Sequence, residues 1–432
     1  MTFKLLNVDE NIVKALKEDG IVDPTNIQNI AIPIIKEGKD VIGISRTGSG
    51  KTAAFGIPVL EKIESGKGIQ VLITVPTREL AVQIAKELEK FSKYMKCNIA
   101  TVFGGVGIEP QIKNLRTADI VVGTTGRILD HVGRRTIDLS KLKCIVLDEA
   151  DKMVEMGFIE DIEAILLECP KNRQILLFGA TISDEINHLK KKYMNTPEIA
   201  KAEMHVKKDL LEQYYYDVGP GEKFSLLVHL LKKEDTDRVM IFCATRATVE
   251  ILAKNLKEHG IKAAMIHGKL TQNRRLRIIE DFNNGRPKIL VASAVAARGL
   301  DIREVTHVFN YGLSKDPQEY VHRVGRTARA GESGKAFTLL EPRDYQAFDQ
   351  IMRRYSIEII KLPAEEFEKL KFVAKQDNNR SNFRGGGKRF GNRQGNRSGG
   401  RGHGPKSHGQ NRNRGKFSSQ RRSEKPEVKP DF

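Results

Sequence analysis

The stretch Val41-Ile-Gly-Ile-Ser-Arg-Thr-Gly-Ser-Gly-Lys-Thr52 combines a short apolar strand, a glycine-containing turn and the start of a helix. Gly48 and Gly50 allow backbone N–H groups to point inward around a phosphate without interference from Cβ atoms. Lys51 then reaches the β- and γ-phosphate oxygens, and the hydroxyl of Thr52 is available to ligate Mg²⁺. Placed after an apolar strand, this turn favours a nucleotide site over an ordinary flexible loop. The predicted nucleotide-binding residues of the loop are Ser45, Arg46, Thr47, Gly48, Ser49, Gly50, Lys51 and Thr52.

A second apolar strand ends in carboxylates, within Lys143-Cys-Ile-Val-Leu-Asp-Glu-Ala-Asp151. We expect Asp148 to hold Mg²⁺ through water and Glu149 to act as the general base on the attacking water. An acidic pair at a helix N-terminus is the alternative interpretation. The phosphate loop upstream makes nucleotide hydrolysis the favoured one, with Lys51, Asp148 and Glu149 as catalytic candidates.

The rest of the chain alternates short, β-branched apolar runs with longer amphipathic segments. The first set of runs comprises 41–44, 71–75, 120–122, 144–147 and 175–178, and the second comprises 239–242, 263–266, 289–292, 305–310 and 336–340. This alternation is typical of an α/β fold with a doubly wound parallel sheet, formed twice in tandem. Polar residues accumulate just after these runs, where such sheets bind ligands.

The composition divides the chain into two α/β domains and a basic remainder. We predict a first domain at 1–204, a linker at 205–212, a second domain at 213–362, and at 363–432 a charged helix followed by a disordered Gly/Arg/Asn-rich tail. The protein has 432 residues and a formal net charge of +18, and residues 376–432 carry 15 Lys or Arg against 4 Asp or Glu. Such a tail favours nucleic-acid binding through phosphates and stacking, although a solubilising or protein-binding tail is the alternative.

Several classes of protein are disfavoured by what the sequence lacks. The four cysteines, Cys97, Cys144, Cys169 and Cys243, form no Cys-x-x-Cys pair, so we expect neither a disulfide framework nor a zinc site. The first residues lack a basic-then-apolar secretory signal, and no apolar run approaches the length of a membrane span. These observations predict a cytoplasmic protein without a membrane partner.

Asp148-Glu149-Ala150-Asp151 resembles the motif that names the DEAD-box ATP-dependent RNA helicases, and further motifs follow the family's order between residues 24 and 331. The resemblance implies two RecA-like lobes, the first of them an ATP-binding domain that includes a Gln motif at 1–29. It implies that Gln28 reads the adenine edge, which suits an amide that donates and accepts. ATP and Mg²⁺ are the implied cofactors.

The resemblance also assigns residues to RNA and to coupling. Segments similar to the family's RNA-gripping motifs contain Pro76, Thr77, Arg78, Gly105, Thr124, Gly126, Arg127, Thr245, Arg246, Gly268, Gln272, Arg275 and Ser293. Residues similar to those that link hydrolysis to unwinding are Gly179, Ala180, Thr181 and His322.

In the second lobe, the resemblance implies that Gly299 and Asp301 meet the nucleotide and that Arg326 and Arg329 act as arginine fingers on the triphosphate. A delocalised, permanently charged guanidinium suits charge that spreads over γ-phosphoryl oxygens. Taken alone, these arginines would fit a solvated face equally well.

The chain departs from the family pattern at several positions. Ile21 stands where an aromatic residue is frequent, Gly179 where serine is usual, and Thr125, Ala294 and Ala328 where proline, aspartate and glycine are usual. No group needed for hydrolysis is lost, so we expect an effect on coupling more than on ATPase activity.

The leading hypothesis is an RNA-stimulated ATPase that separates short RNA duplexes or remodels RNA–protein complexes, with ribosomal or RNA-decay proteins as possible partners. A DNA translocase on the same scaffold and a non-catalytic RNA scaffold or annealing chaperone remain as alternatives.

Overall fold

The structure is a computed structural model that describes residues 2–45, 48–202, 210–297, 302, 305–313, 317–328, 333–355 and 357–374, with the backbone alone for 294, 295 and 318. Both lobes belong to one unit, Met1–Gln376, according to their internal contacts. The predicted basic tail after residue 374 lies outside the described residues. None of the described helices is long and apolar enough to cross a membrane.

The first lobe is organised around a parallel sheet. Its strands are β1 (Val41–Ile44), β2 (Val71–Val75), β3 (Ile99–Val102), β4 (Ile120–Thr124), β5 (Cys144–Leu147), β6 (Gln174–Gly179) and β7 (Glu198–Lys201). Their spatial order is β3-β4-β2-β5-β6-β1-β7. The runs β2, β5 and β6 are buried along their whole length, as expected of strands covered by helices on both faces. This confirms the predicted doubly wound sheet.

The second lobe repeats the arrangement. Its strands are β8 (Leu211–Asp217), β9 (Val239–Cys243), β10 (Ala264–Ile266), β11 (Ile289–Ser293), β12 (His307–Asn310), β13 (Gly334–Leu340) and β14 (Ile360–Lys361). They lie in the order β10-β11-β9-β12-β13-β8-β14, which is the first order with each number raised by seven. All recorded pairings between these strands are parallel. The two lobes therefore share one topology.

Helices connect successive strands in both lobes. In the first lobe they are α1 (Glu10–Glu18), α2 (Asn26–Lys36), α3 (Lys51–Glu61), α4 (Arg78–Phe91), α5 (Glu109–Leu115), α6 (Thr125–Gly133), α7 (Ala150–Glu155), α8 (Ile159–Glu168) and α9 (Asp184–Tyr193). In the second lobe they are α10 (Lys223–Lys233), α11 (Arg246–Glu258), α12 (Gln272–Asn283), α13 (Ala294–Ala297), α14 (Pro317–Val324) and α15 (Tyr345–Tyr355).

Helices α4 and α11 each begin at a threonine cap that lies two residues after the end of a strand. Thr77 Oγ1 accepts a hydrogen bond from the N–H of Leu80 at the start of α4, and Thr245 Oγ1 accepts one from Thr248 at the start of α11. A capping hydroxyl satisfies a backbone donor that has no partner within the helix. The caps fix where each helix leaves the carboxyl edge of its sheet.

The core of the first lobe lies on both faces of its sheet. Phe55 of α3 and Phe178 of β6 contact each other with ring centroids 5.3 Å apart. A Cβ atom added to Gly43 of β1 would lie 2.2 Å from the Phe178 ring, so the strand needs glycine there. Truncating a buried phenylalanine such as Phe178 to alanine costs about 3–5 kcal/mol of stability.

The domain boundaries differ from the prediction in two places. The predicted linker at 205–212 overlaps the second sheet, because β8 begins at Leu211. The predicted charged helix after residue 363 is wrong for residues 363–374, which contain no helix. These residues instead run along α10 and α11, where the backbone of Leu370 and Val373 bonds to protein side chains rather than within a helix.

We call residues 363–374 the strap. Leu370 N–H donates to Ser225 Oγ, and buried Asn255 both accepts from the N–H and donates to the carbonyl oxygen of Val373. Phe367, Leu370 and Phe372 pack on the second-lobe core. Hydrogen bonds to side chains of two helices therefore replace the intrahelical bonds of the predicted helix.

Candidate active site and RNA face

The phosphate loop is held by bonds on both sides. Ser45 N–H donates to the carbonyl oxygen of Gly179 at the end of β6, and Ser45 Oγ lies 2.8 Å from Ser49 Oγ. Gly48 and Gly50 have φ values of 77° and 88°, in the left-handed region that glycine favours. The described part of the loop therefore uses the conformational freedom of glycine at both positions; Arg46 and Thr47 lie outside the described residues.

Lys51 begins α3 and is buried, and its Nζ donates to the carbonyl oxygen of Ser45 at 2.9 Å. Burial lowers the pKa of Lys51, and the neighbouring carboxylates Asp148 and Glu149 oppose that effect. The lysine and both predicted catalytic carboxylates thus lie in one electrostatic environment.

Gln28 is connected to the phosphate loop. Its Oε1 accepts from the N–H of Thr25 at 2.9 Å, and its Nε2 donates to the carbonyl oxygen of Gly50 at 3.0 Å. Thr25 Oγ1 donates to the carbonyl oxygen of Ser49 at 2.8 Å. A Cβ atom on Gly50 would lie 2.4 Å from Gln28 Nε2, so this contact also requires glycine. The structure brings Gln28 to the predicted site, where it supports the loop.

The two carboxylates leave the end of β5 in different electrostatic states. Burial raises the pKa of Asp148 to about 7, against the opposing effect of Lys51. Burial also acts to raise the pKa of Glu149, but the ion pair with Lys152 outweighs it and lowers that pKa to about 2. Glu149 is therefore the ionised member of the pair, and Asp148 is the one that an added cation would stabilise as a carboxylate.

Asp151 connects these carboxylates to the end of β6. Its Oδ2 accepts from the N–H groups of Ala180 and Thr181 at 2.9 and 3.1 Å, and from Thr181 Oγ1 at 3.4 Å. A Cβ atom on Gly179 would lie 3.2 Å from Asp151 Oδ1, which is tighter than an ordinary contact. The predicted coupling residues of the first lobe are thus assembled around one carboxylate.

The predicted RNA residues lie after strand ends, as the sheet rule requires. Thr124 and Ser293 end strands β4 and β11. The residues that come shortly after a strand are Pro76, Thr77, Gly126, Thr245, Arg246 and Gly268. Arg78 packs against the backbone of Gly104 and Gly105, where a Cβ atom at Gly105 would lie 2.0 Å from its Nη1. Arg127 donates to the carbonyl oxygen of Val106. Their contact with RNA stays a prediction.

Second-lobe residues reach the first lobe at two points. Glu79 of α4 accepts from Gln272 Nε2 at 3.1 Å, and its Oε1 forms an ion pair with Arg275 Nε at 2.7 Å. Arg275 Nη2 also donates to the carbonyl oxygen of Ala296. Arg326 is buried and is one of the cations that lower the pKa of Glu149. Gly299, Asp301 and Arg329 lie outside the described residues.

Comparison with known proteins identifies this arrangement. Residues 25–189 match the family model described as DEAD/DEAH box helicase, and residues 222–331 match the helicase conserved C-terminal domain. An ATP-dependent RNA helicase CshA of Limosilactobacillus reuteri is 43% identical over 365 residues, which are 84% of this chain and 73% of the relative. The chain belongs to the DEAD-box helicase family. It is an ATP-dependent RNA helicase with an RNA-dependent ATPase activity.

Solved helicase structures show the same fold. A DEAD box protein from the hyperthermophile Methanococcus jannaschii is 42% identical, with a TM-score of 0.54 over 84% of this chain and 99% of that chain. S. cerevisiae Dbp5 bound to RNA and ADP BeF3 is 30% identical, with a TM-score of 0.76 over 84% of this chain and 95% of that chain. The two tandem RecA-like lobes are thereby confirmed.

Two residues of this helicase site were not predicted from the sequence. Glu79 lies inside a motif that was assigned to RNA as a whole, and its partners lie 193 or more residues away. Lys152 directly follows the DEAD motif, and its spacing of three from Glu149 on a helix was the available signal.

Proposed function

We propose that this helicase hydrolyses ATP efficiently when RNA brings its lobes together, and that the same closure separates a short RNA duplex locally or displaces a bound protein. The observation that carries this proposal is that Arg326, a buried cation of the second lobe, contributes to the lowered pKa of first-lobe Glu149, behind the larger effects of Lys152 and Lys51. A cation from one lobe acting on the base of the other makes hydrolysis depend on closure. Since both ligands favour the closed lobes, each should tighten the binding of the other.

The lobe contacts support an arrangement of this kind. Glu79 joins the segment after β2 to Gln272 and Arg275 in the second lobe. The chain also resembles RNA- and nucleotide-bound Dbp5 at a TM-score of 0.76 with 30% identity, against 0.54 for the M. jannaschii protein with 42% identity. Greater structural likeness at lower sequence identity supports lobes placed as in a ligand-bound helicase.

The nucleotide-site residues have proposed roles that follow from the DEAD-box motifs to which they belong. Backbone N–H groups of the loop and Lys51 bind the phosphates, and Gln28 recognises adenine. Glu149 accepts a proton from the attacking water, and Arg326 with Arg329 stabilises charge on the γ-phosphoryl oxygens. Gly299 and Asp301 hold the nucleotide from the second lobe. Asp151, through Thr181, and His322 transmit RNA binding to this site.

The residues present fit a Mg²⁺ ion. Thr52 and Asp148 offer hydroxyl and carboxylate oxygens, which are the hard ligands that Mg²⁺ prefers. The raised pKa of buried Asp148 also indicates that a cation nearby would be favourable. Asp148 would hold the ion through water. When bound, the ion neutralises charge on the phosphate oxygens.

RNA would run across the carboxyl edges of both sheets. In the first lobe the candidates are Pro76, Thr77, Arg78, Gly105, Thr124, Gly126 and Arg127, and in the second they are Thr245, Arg246, Gly268, Gln272, Arg275 and Ser293. Most of these groups suit phosphate and sugar contacts, so recognition should depend little on sequence. We propose a cytoplasmic site of action, with ribosomal or RNA-decay proteins as candidate partners.

The decisive test is ATP turnover with and without single-stranded RNA. We expect RNA to raise the rate by about tenfold or more, in the range of ordinary coupling energies. A DNA strand of the same sequence should stimulate less, because it lacks the 2′-hydroxyl. Equal stimulation by DNA would favour the translocase alternative.

The E149Q variant separates an enzyme from a scaffold. Hydrolysis should fall by about 10²- to 10⁴-fold while ATP binding is retained, as expected when a general base is removed. If E149Q still remodelled RNA at the wild-type rate, the annealing-chaperone alternative would replace the proposal.

Deletion of residues 376–432 tests the tail. The segment carries a net charge of +11, from 15 basic and 4 acidic residues. We expect weaker RNA binding and a shallower slope of log affinity against log salt, with the ATPase rate at saturating RNA preserved. An unchanged slope would support the solubilising role instead.

A further inference from the structure

A buried lysine lies next to the general base. Lys152 belongs to α7, and its side chain is only 3% exposed. Its Nζ donates to Glu149 Oε1 at 2.7 Å. Lysine is seldom fully buried without a partner, because removing an ammonium group from water is costly. The contact with Glu149 is therefore the reason that this charge is tolerated in the interior.

The two carboxylate oxygens of Glu149 have different surroundings. Oε1 is held by Lys152, whereas Oε2 is buried and has no hydrogen-bond partner within the described part of the chain. A buried carboxylate oxygen without a donor is unfavourable and marks a place where a ligand or water belongs. Oε2 is thus the free acceptor of this side chain.

The backbone of Glu149 fixes where the carboxylate starts. Its φ is 52°, a left-handed value that is uncommon for a residue with a Cβ atom. Its carbonyl oxygen accepts from the N–H groups of Lys152 and Met153 at 3.0 and 3.1 Å. With the backbone held at one end and Oε1 at the other, the side chain has little rotational freedom left.

The phosphate lysine has a different partner. Lys51 Nζ donates to the carbonyl oxygen of Ser45 at 2.9 Å, whereas Lys152 supplies the ion pair to Glu149. Lys51 and Lys152, both buried, therefore differ in these contacts. One is placed at the phosphate loop, and the other is placed at the base.

We infer that Lys152 is a positioning residue for Glu149, holding Oε1 so that Oε2 faces the water that attacks ATP. During hydrolysis the water oxygen bonds to the γ-phosphorus, the bond from that phosphorus to the bridging oxygen of ADP breaks, and a water proton passes to Oε2. Lys152 acts only through Glu149. The inference rests on the proposed role of Glu149 as general base.

The test compares K152M with the wild type in the full chain. Methionine keeps the length of the side chain and removes its donor. We expect kcat for RNA-stimulated hydrolysis to fall by about 10- to 100-fold, as for a misplaced catalytic group. The KM for ATP should stay within about twofold, since no phosphate contact is lost. K152R should restore part of kcat, because a guanidinium still donates to Oε1.

A matched control comes from the second lobe. Lys223 is equally buried and pairs with Asp344 far from the nucleotide carboxylates in sequence. K223M should lower the melting temperature without lowering kcat. If K223M lowered kcat as much as K152M, loss of any buried lysine would explain the result and the inference would be overturned.

Measurements in the E149Q background distinguish the proposed role of Glu149 from the proposed role of Lys152. K152M should cause no further loss in E149Q, because both changes disable one unit. Wild-type hydrolysis by E149Q would overturn the role of Glu149 itself. If E149Q is inactive but K152M folds and keeps the wild-type kcat, only the proposed role of Lys152 is overturned. If K152M does not fold, K152Q and K152R replace it, and wild-type kcat in both would overturn the inference.

Discussion

The two lobes have the same strand order, but the corner after their corresponding first strands is used differently. In the first lobe, β1 leads through the glycine loop to Lys51, the first residue of α3. In the second, β8 leads to Lys223, the first residue of α10. Lys223 Nζ donates to Asp344 Oδ2 and to the carbonyl oxygen of Tyr311, so its charge is neutralised within the lobe.

The strands two positions away from these corners in each sheet differ in the same sense. β5 is followed by Asp148 and Glu149, whereas β12, its counterpart in the strand order, is followed by Tyr311 and Gly312. Only the first corner therefore combines a phosphate loop with carboxylates. The shared topology therefore forms an equivalent corner in each lobe, and the residues at that corner decide whether it can hydrolyse a nucleotide.

The largest expected difference between the lobes is the effect of removing the two corner lysines. Lys51→Ala should lower RNA-stimulated kcat by about a hundredfold or more, since a charged group aimed at the transition state is lost. Lys223→Ala should instead lower stability by about 3 kcal/mol, because Asp344 is left without its buried partner. Steady-state ATPase assays and thermal unfolding check both variants. A large loss of kcat in a folded Lys223→Ala variant would contradict the conclusion that Lys223 serves stability and not catalysis.

The contact between lobes gives the next effect. Glu79→Gln removes the charge that pairs with Arg275, so the RNA concentration needed for half-maximal ATPase should rise about five- to tenfold. Glu89→Gln, on the exposed side of the same helix, is the control. RNA titrations of ATPase activity measure both. Equal behaviour of the two variants would show that the Glu79 contact does not couple the lobes.

The strap gives the second lobe a pH-dependent contribution to stability through Glu365. Burial opposes ionisation of Glu365, but hydrogen bonds from Lys233, Tyr216 and His229 lower its pKa to about 2. Because the folded pKa lies below the unfolded value, the stabilisation is present above about pH 4.3 and is lost as pH falls toward 2.

Glu365→Gln should therefore cost about 1 kcal/mol at pH 7, allowing for solvent screening of partly exposed partners. The difference from the wild type should shrink as the pH is lowered from 5 to 3. Chemical unfolding at several pH values measures it. A difference that stayed constant with pH would mean that charge on Glu365 does not hold the strap.

The smallest effect concerns backbone strain in the second lobe. Ala328 stands where glycine is usual in the family, and its φ is 55°. Alanine is disfavoured in this region, so Ala328→Gly should stabilise the protein by about 0.5–1 kcal/mol after the flexibility of glycine is counted. A small rise in melting temperature is expected. A fall would indicate that the Ala328 methyl group contributes more by packing than it costs in strain.

Much of the fold followed from local pattern. The alternation of apolar strands and amphipathic helices predicted both sheets, since buried parallel strands need such runs. Most of the first-lobe site was also predictable, because Gly48, Gly50, Lys51 and Asp148 are read from contiguous motifs. The predicted charged helix after residue 363 was wrong for residues 363–374, because Ser225 and Asn255 on distant helices supply the hydrogen-bond partners of this backbone, and the local sequence does not reveal them.

The sequence by itself determined that the chain contains two α/β lobes, one phosphate loop and one pair of hydrolytic carboxylates, because each of these is encoded within a few adjacent residues. The tertiary structure alone decided that Glu79 meets Arg275, that Lys223 is neutralised by Asp344, and that Lys152 holds one oxygen of Glu149 and leaves the other free. These contacts depend on distances between atoms, which are set when strands and helices from distant parts of the chain pack together or when a side chain adopts one buried rotamer. Local residue patterns carry no such distances.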